Sequence, residues 1–276
     1  MKLASRAART ILRLRNRVDF ALRQSLRFRR AVTSVRADSL AATLSELPAP
    51  DAARARRLVD RYRLEPSLAT MGARDQHESL AYADLLDTIG PGASIALPPS
   101  PVSALDIGAS HWLYAAALHG FLAAWGDVGP RAVALTGIEI DPWRMYGDGH
   151  TRHDWARWYS RDLPGASYAH GDARTISRTF DVVTMLFPFV AIGELARWSL
   201  PESAYDPVGL LRHTWSLVAP DGYLIVVNQG EEEAAIERSM LRTLGIDAVE
   251  LPPYESPFFA YRHPRVAFVA RRVSSP

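Results

Sequence analysis

The sequence predicts an α/β protein: a doubly wound, mostly parallel sheet preceded by an α-helical extension. Strand and helix signals alternate from about residue 94 to residue 227, the pattern left by parallel strands joined through crossover helices. Two later apolar runs, residues 246–251 and 266–271, lack a helical pattern between them and are separated by a long loop at 252–264. With 276 residues and 48% hydrophobic content, the chain can bury a full core. The expected boundaries are a helical extension over 1–93 and a core over 94–276.

Residues 1–40 form a basic arm. Eleven basic residues against Asp19 and Asp38 give it +9, so the remainder of a chain of net charge +2 carries −7. Ile11, Leu14, Val18, Ala21 and Leu22 recur at helical spacing, which predicts a helix that docks through this stripe on the body or on a second subunit, with its arginines solvated. Contact with nucleic acid, contact with an anionic surface and a cleavable targeting peptide are the competing readings. Only Phe20 and Phe28 are available to stack on bases, so any contact with nucleic acid is expected to be electrostatic. Leu47-Pro-Ala-Pro separates the arm from a helix expected over 52–62, and a further helix is expected over 75–89, ending at Gly90-Pro91-Gly92. Tyr62, His77 and Tyr82 on these helices read as packing residues, with a pocket as the alternative. No apolar run reaches the roughly 18 residues of a membrane span, and a cytoplasmic location is compatible with this. The absence of cysteine excludes disulfides, thiolate zinc sites and a thiol nucleophile.

Residues 103–110 read Ser-Ala-Leu-Asp-Ile-Gly-Ala-Ser, an apolar strand that ends in Asp106, turns at Gly108 and is expected to enter a helix from His111. That layout predicts a carboxylate and bare backbone N–H groups at one strand tip, where a nucleoside cofactor is held by its polar groups. A second strand over 133–140 closes on Glu139, a third segment over 168–174 carries Asp172, a fourth runs over 180–189 and a fifth over 217–227. In the fifth, Pro220-Asp221-Gly222 is expected to link helix to strand, with the glycine supplying the positive φ. Asp141 before Pro142 reads as a helix N-cap, and Asp181 as a structural or solvated residue. His150-x-x-His153 has helical spacing but no third ligand, so no metal is expected.

The five segments, in this order and spacing, resemble the class I S-adenosylmethionine-dependent methyltransferases over about half the chain. The resemblance implies a seven-stranded sheet closed by antiparallel sixth and seventh strands, with S-adenosyl-L-methionine as cofactor. It implies that Glu139 receives the ribose hydroxyls, because a carboxylate accepts two hydrogen bonds from a diol, and that Asp172 accepts from the adenine amino group. Asp106, Gly108, Ser110 and Phe187 complete the expected cofactor site. The chain departs from the family in carrying Ser110 and Trp112 where glycine is common. A G-x-G-x-x-G dinucleotide fingerprint is also absent, which argues against a nicotinamide dehydrogenase.

After the fourth strand, Leu186-Phe187-Pro188-Phe189 replaces the Asn/Asp-Pro-Pro-aromatic motif of exocyclic-amine methyltransferases of nucleic acids, which disfavours base methylation. The expected reaction is methyl transfer to an oxygen or nitrogen of a small molecule. His213 and His111 are the expected general-base candidates. The alternatives are a methyltransferase of RNA or protein recruited by the arm, and a catalytically silent binding module. The expected partners are a small-molecule acceptor and, through residues 1–40, nucleic acid or an anionic surface; assembly as a homo-oligomer is also compatible with the sequence.

Overall fold

The computed structural model describes residues 2–126, 130–188, 190–192 and 198–274, with side chains from residue 10 onward. Five helices precede the sheet: α1 (Lys2–Leu26), α2 (Leu40–Ser45), α3 (Ala49–Tyr62), α4 (Glu65–Leu68) and α5 (Ala73–Gly92). Then follow β1 (Val102–Ile107), α6 (Ala115–Ala124), β2 (Val133–Glu139), α7 (Arg152–Ser160), β3 (Ala166–His170) and β4 (Phe180–Leu186). The chain closes with α8 (Pro207–Ser216), β5 (Val218–Gln229), α9 (Gly230–Thr243), β6 (Val249–Glu250) and β7 (Arg265–Arg271).

The seven strands lie in the order β3-β2-β1-β4-β5-β7-β6. β3, β2, β1, β4 and β5 are parallel, and β7 runs antiparallel to both β5 and β6. β1 and β4 occupy the centre, so the tips of β1, β2 and β4 meet at one carboxyl edge, where ligands bind in open α/β sheets.

The two-residue period of the strands sorts their side chains onto two faces. Ala104 of β1, Val182 of β4, Ile225 of β5 and Ala267 of β7 share one core with α3, α5 and α6. Leu105, Val183, Val226 and Phe268 face the other core, with α8 and α9. Asp106, Glu139 and Arg265 follow the first parity and therefore stand on the face covered by the N-terminal helices. Asp181 is structural: its Oδ2 accepts from the backbone N–H and hydroxyl of Ser103, each at 2.7 Å, which ties β4 to β1.

Several local expectations change. α3 starts at Ala49, three residues early, because Pro50 falls in the first turn, where no N–H is required. β6 is two residues long. The Pro-Asp-Gly segment lies inside β5 at a register shift against β4, and its positive φ belongs to Asp221 (63°). Glycine is required at 222 for space, since a Cβ there would stand 2.7 Å from the Asp181 carbonyl oxygen. No helix begins at Pro142. α7 instead starts after Thr151, whose side chain and backbone form a capping box with Asp154.

The arm does not dock on the body through its apolar stripe. α1 lies on the body with its polar face: the Arg23 guanidinium donates to both oxygens of the buried Asp141 (3.0 and 2.9 Å), and the Gln24 amide donates to the Ile140 carbonyl (3.0 Å). The apolar stripe points away, with Ile11 68%, Leu14 63% and Leu26 75% exposed. The body offers α1 carboxylates and carbonyls rather than an apolar groove, and this selects the arginine face. Among the described residues no helix is long and apolar enough to cross a membrane.

Candidate active site

From β1 the chain turns through Gly108 (φ +79°), Ser110 (+53°) and Trp112 (+56°). The left-handed region costs a non-glycine residue about 1–2 kcal/mol, and specific contacts hold both residues there. The Ser110 N–H donates to Glu139 Oε2 (2.9 Å), and its carbonyl accepts from the Tyr168 hydroxyl (2.6 Å). The fully buried Trp112 indole fills space left by Gly137 of β2, where a Cβ would come within 2.7 Å of the ring. Serine and tryptophan thus adopt the backbone that glycine adopts easily, and the two left-handed residues delay α6 to Ala115 rather than His111.

Asp106 is completely buried beneath this turn and does not line the cavity above it. Its carboxylate accepts from Trp112 Nε1 (2.9 Å), the Tyr114 hydroxyl (2.8 Å) and the Thr184 hydroxyl (2.5 Å). Burial pushes its pKa up to about 6, against the opposing pull of these three donors. The N–H groups expected to be bare are paired: Gly108 and Ala109 donate to the Ile138 carbonyl, Ser110 to Glu139 and Trp112 to Ala109. Gly108 contributes space instead, since a Cβ there would meet nothing within 4 Å.

A cavity of about 370 Å³ opens at this edge. Gly108, Ser110, Glu139, Asp172 and Phe187 all line it. Glu139, at the end of β2, is buried; besides Ser110 it accepts from the Asp141 N–H (2.8 Å) and from Arg152 Nη1 (3.3 Å). Asp172 caps a 3₁₀ turn and is gripped by Arg174, whose Nη2 lies 2.6 Å from Oδ2. The hydrogen bonds from Arg174 hold its carboxyl below the usual aspartate value.

His111 lines the cavity with Nδ1 unpartnered among the described residues, and burial pushes its pKa down to about 4, so the ring is neutral. His213 is not among the lining residues; its Nε2 lies 3.0 Å from the Ile176 carbonyl. Phe189 lies outside the described residues. Tyr62 and His77 are absent from the lining, whereas Tyr82 lines the cavity and stacks on Tyr114 at 4.4 Å. The loop at 252–264 contributes Tyr261, and its Tyr254 is hydrogen-bonded to Asp84 of α5.

The sequence reading missed Glu78, Tyr114, Arg152, Tyr205 and Arg265, all of which line the cavity. Arg265 left one sequence signal: it stands between Pro264 and the apolar run Val-Ala-Phe-Val-Ala of β7.

The strand order, with its antiparallel β7 and an acid closing β2, is the arrangement that the resemblance to the class I S-adenosylmethionine-dependent methyltransferases implies. No protein-family profile and no curated protein matches the chain. Among solved structures, it is similar to magnesium protoporphyrin IX methyltransferase from Synechocystis PCC 6803 with bound SAM, at 12% identity and a TM-score of 0.46, over 70% of this chain and 80% of that one. A methyltransferase from Pyrococcus furiosus is 16% identical with a TM-score of 0.46, over 68% of this chain and 83% of that one. The CurJ carbon methyltransferase is 14% identical with a TM-score of 0.48, over 84% and 70%.

Proposed function

We propose that the protein is an S-adenosylmethionine-dependent methyltransferase acting on a small molecule at an oxygen or nitrogen. The observation that carries the reading is the Glu139 carboxylate facing the cavity from the tip of β2, beside a glycine turn whose missing Cβ leaves the cavity open. Glu139 would receive the ribose hydroxyls and Asp172 the adenine edge. Gly108 and Ser110 would border the donor, and Phe187 would face its sulfonium, a cation that aromatic faces attract. Asp106 acts through the loop, holding Trp112 and Tyr114 in place. Bound S-adenosylmethionine supplies a methyl already activated on sulfur, so the chain's own task is to orient an acceptor and exclude water. The apolar lining from Met185, Leu186 and Leu113 suits that task. Calorimetric titration with S-adenosylmethionine and S-adenosylhomocysteine tests the reading: saturable binding supports it, and no heat from folded protein overturns it in favour of a silent module.

The outward stripe of α1 supports a second assignment, docking of the arm on an anionic lipid surface. Exposed Ile11, Leu14, Val18, Leu22 and Leu26 beside Arg15 and Arg17 give the pairing of apolar face and cations that interfacial helices use. A nucleic acid would leave the apolar face without a partner. The full-length protein should co-sediment with vesicles containing phosphatidylglycerol and not with pure phosphatidylcholine, and Leu14→Glu with Val18→Glu should abolish this. Equal sedimentation of the variant would refute it.

A further inference from the structure

Arg265 stands where nothing in the cofactor reading uses it. It opens β7 opposite Gln229 of β5, and Gln229, like Arg265, lines the cavity. The residue is only 5% exposed. Its guanidinium carbon sits 4.3 Å from the centre of the Phe187 ring and 3.8 Å from that of Tyr261, so two aromatic faces fix its plane. Nε and Nη1 have no hydrogen-bond partner among the described residues. The other two arginines among the described lining residues each face a carboxylate, Arg152 with Glu139 and Arg174 with Asp172, although Arg152 Nε also lacks a hydrogen-bond partner there.

A buried cation with unmet donors is costly, and the protein keeps one only where a partner meets it. Here burial already weakens its hold on the proton, while Tyr261, Tyr82 and Glu233 favour the charged form. The aromatic rings and the Tyr261 hydroxyl orient the guanidinium, but Nε and Nη1 stay without a hydrogen-bond partner among the described residues.

We propose that Arg265 binds a carboxylate inside this cavity. A planar, singly charged anion can meet the guanidinium along its Nε–Nη2 or its Nη1–Nη2 edge, each of which includes one unmet donor. A dianionic phosphate would bring a second negative charge beside Glu78, whereas among the described lining residues the other arginines already face carboxylates, and it fits poorly. The surrounding Tyr82, Phe187 and Tyr261 suit an aromatic or apolar body on the molecule that carries the carboxylate. That carboxylate belongs either to the acceptor or to the amino-acid end of the methyl donor, and the inference rests on the methyltransferase reading only for the second source.

The test uses full-length protein and three probes: S-adenosylhomocysteine, 5′-methylthioadenosine, which is a nucleoside thioether without the amino-acid end, and benzoate added over saturating S-adenosylhomocysteine. Binding of neither nucleoside to the wild type overturns the cofactor reading alone, and benzoate added without nucleoside then still tests the carboxylate site. If the acceptor is the source, Arg265→Gln weakens benzoate at least tenfold and leaves both nucleosides within twofold. If the donor is the source, the same variant weakens S-adenosylhomocysteine at least tenfold and spares 5′-methylthioadenosine. Equal affinities of wild type and variant for all three probes, or an equal loss for both nucleosides, would overturn the proposal. Should Arg265→Gln fail to fold, the wild type decides: benzoate must bind at least tenfold tighter than benzamide, or S-adenosylhomocysteine at least tenfold tighter than 5′-methylthioadenosine. Failure of both comparisons would likewise overturn it.

Discussion

Asp106 gives the sharpest energetic prediction. Its carboxylate is fully buried, accepts three hydrogen bonds and has its pKa raised from 3.8 to about 6. Between those two values the folded protein binds a proton that the unfolded chain has released, so this group makes stability fall as pH rises. The span of about two units corresponds to about 3 kcal/mol, absent below about pH 3 and fully imposed above about pH 7, with most of it accruing between about pH 4 and 7. Asparagine at 106 keeps the shape and cannot ionise: its carbonyl can accept from Trp112 and Tyr114, and its amide can donate to the Thr184 hydroxyl once that hydroxyl rotates. Urea unfolding of wild type and Asp106→Asn at pH 4, 5, 6, 7 and 8 should therefore give a stability difference that shifts by about 3 kcal/mol in favour of the variant as pH rises to 7, then stays level. A difference that is constant over the range would refute the assignment of the buried charge. The variant should also bind S-adenosylhomocysteine within about threefold of wild type, because Asp106 positions the loop rather than touching the ligand.

Other consequences are as direct. Glu139→Ala removes a charged acceptor from the cavity wall and should weaken S-adenosylhomocysteine by about 1–3 kcal/mol in calorimetry; unaltered affinity would refute the ribose assignment. Gly137→Ala places a methyl 2.7 Å from the Trp112 ring and should lower stability by about 1–3 kcal/mol in denaturant unfolding. Arg23→Met strips the guanidinium from the buried Asp141 and should cost about 3–5 kcal/mol of α1 docking, read as faster amide exchange across residues 10–26. Because burial holds His111 near 4, the pH profile of methyl transfer should show no inflection from this ring between pH 6 and 8; an inflection abolished by His111→Asn would contradict its neutrality.

What the sequence revealed follows from the range of the forces involved. The strand tips were legible because each is a local pattern, an apolar run closed by an acid or glycine, and Gly108, Glu139 and Asp172 reached the cavity as the pattern implied. Asp106 carried the same local signature, yet its burial depends on Trp112 and Tyr114 folding back over it and on Thr184, 78 residues away. No periodicity encodes that. The face α1 turns outward was likewise illegible, since amphipathicity finds a stripe but not its partner, and the partner is Asp141, 118 residues distant from Arg23. Arg265 and Glu78 enter the cavity from β7 and α5, elements far apart in the chain, so only the folded protein brings them into one lining with Phe187 and Glu139.

In the proposed function, the carboxyl edge at β1, β2 and β4 holds an adenosyl group through Glu139. A crystal structure of the protein grown with S-adenosylhomocysteine tests it most directly. The account predicts density in the cavity with both ribose hydroxyls on the Glu139 carboxylate and the sulfur near Phe187; density at another surface, or a ribose turned away from Glu139, would contradict it.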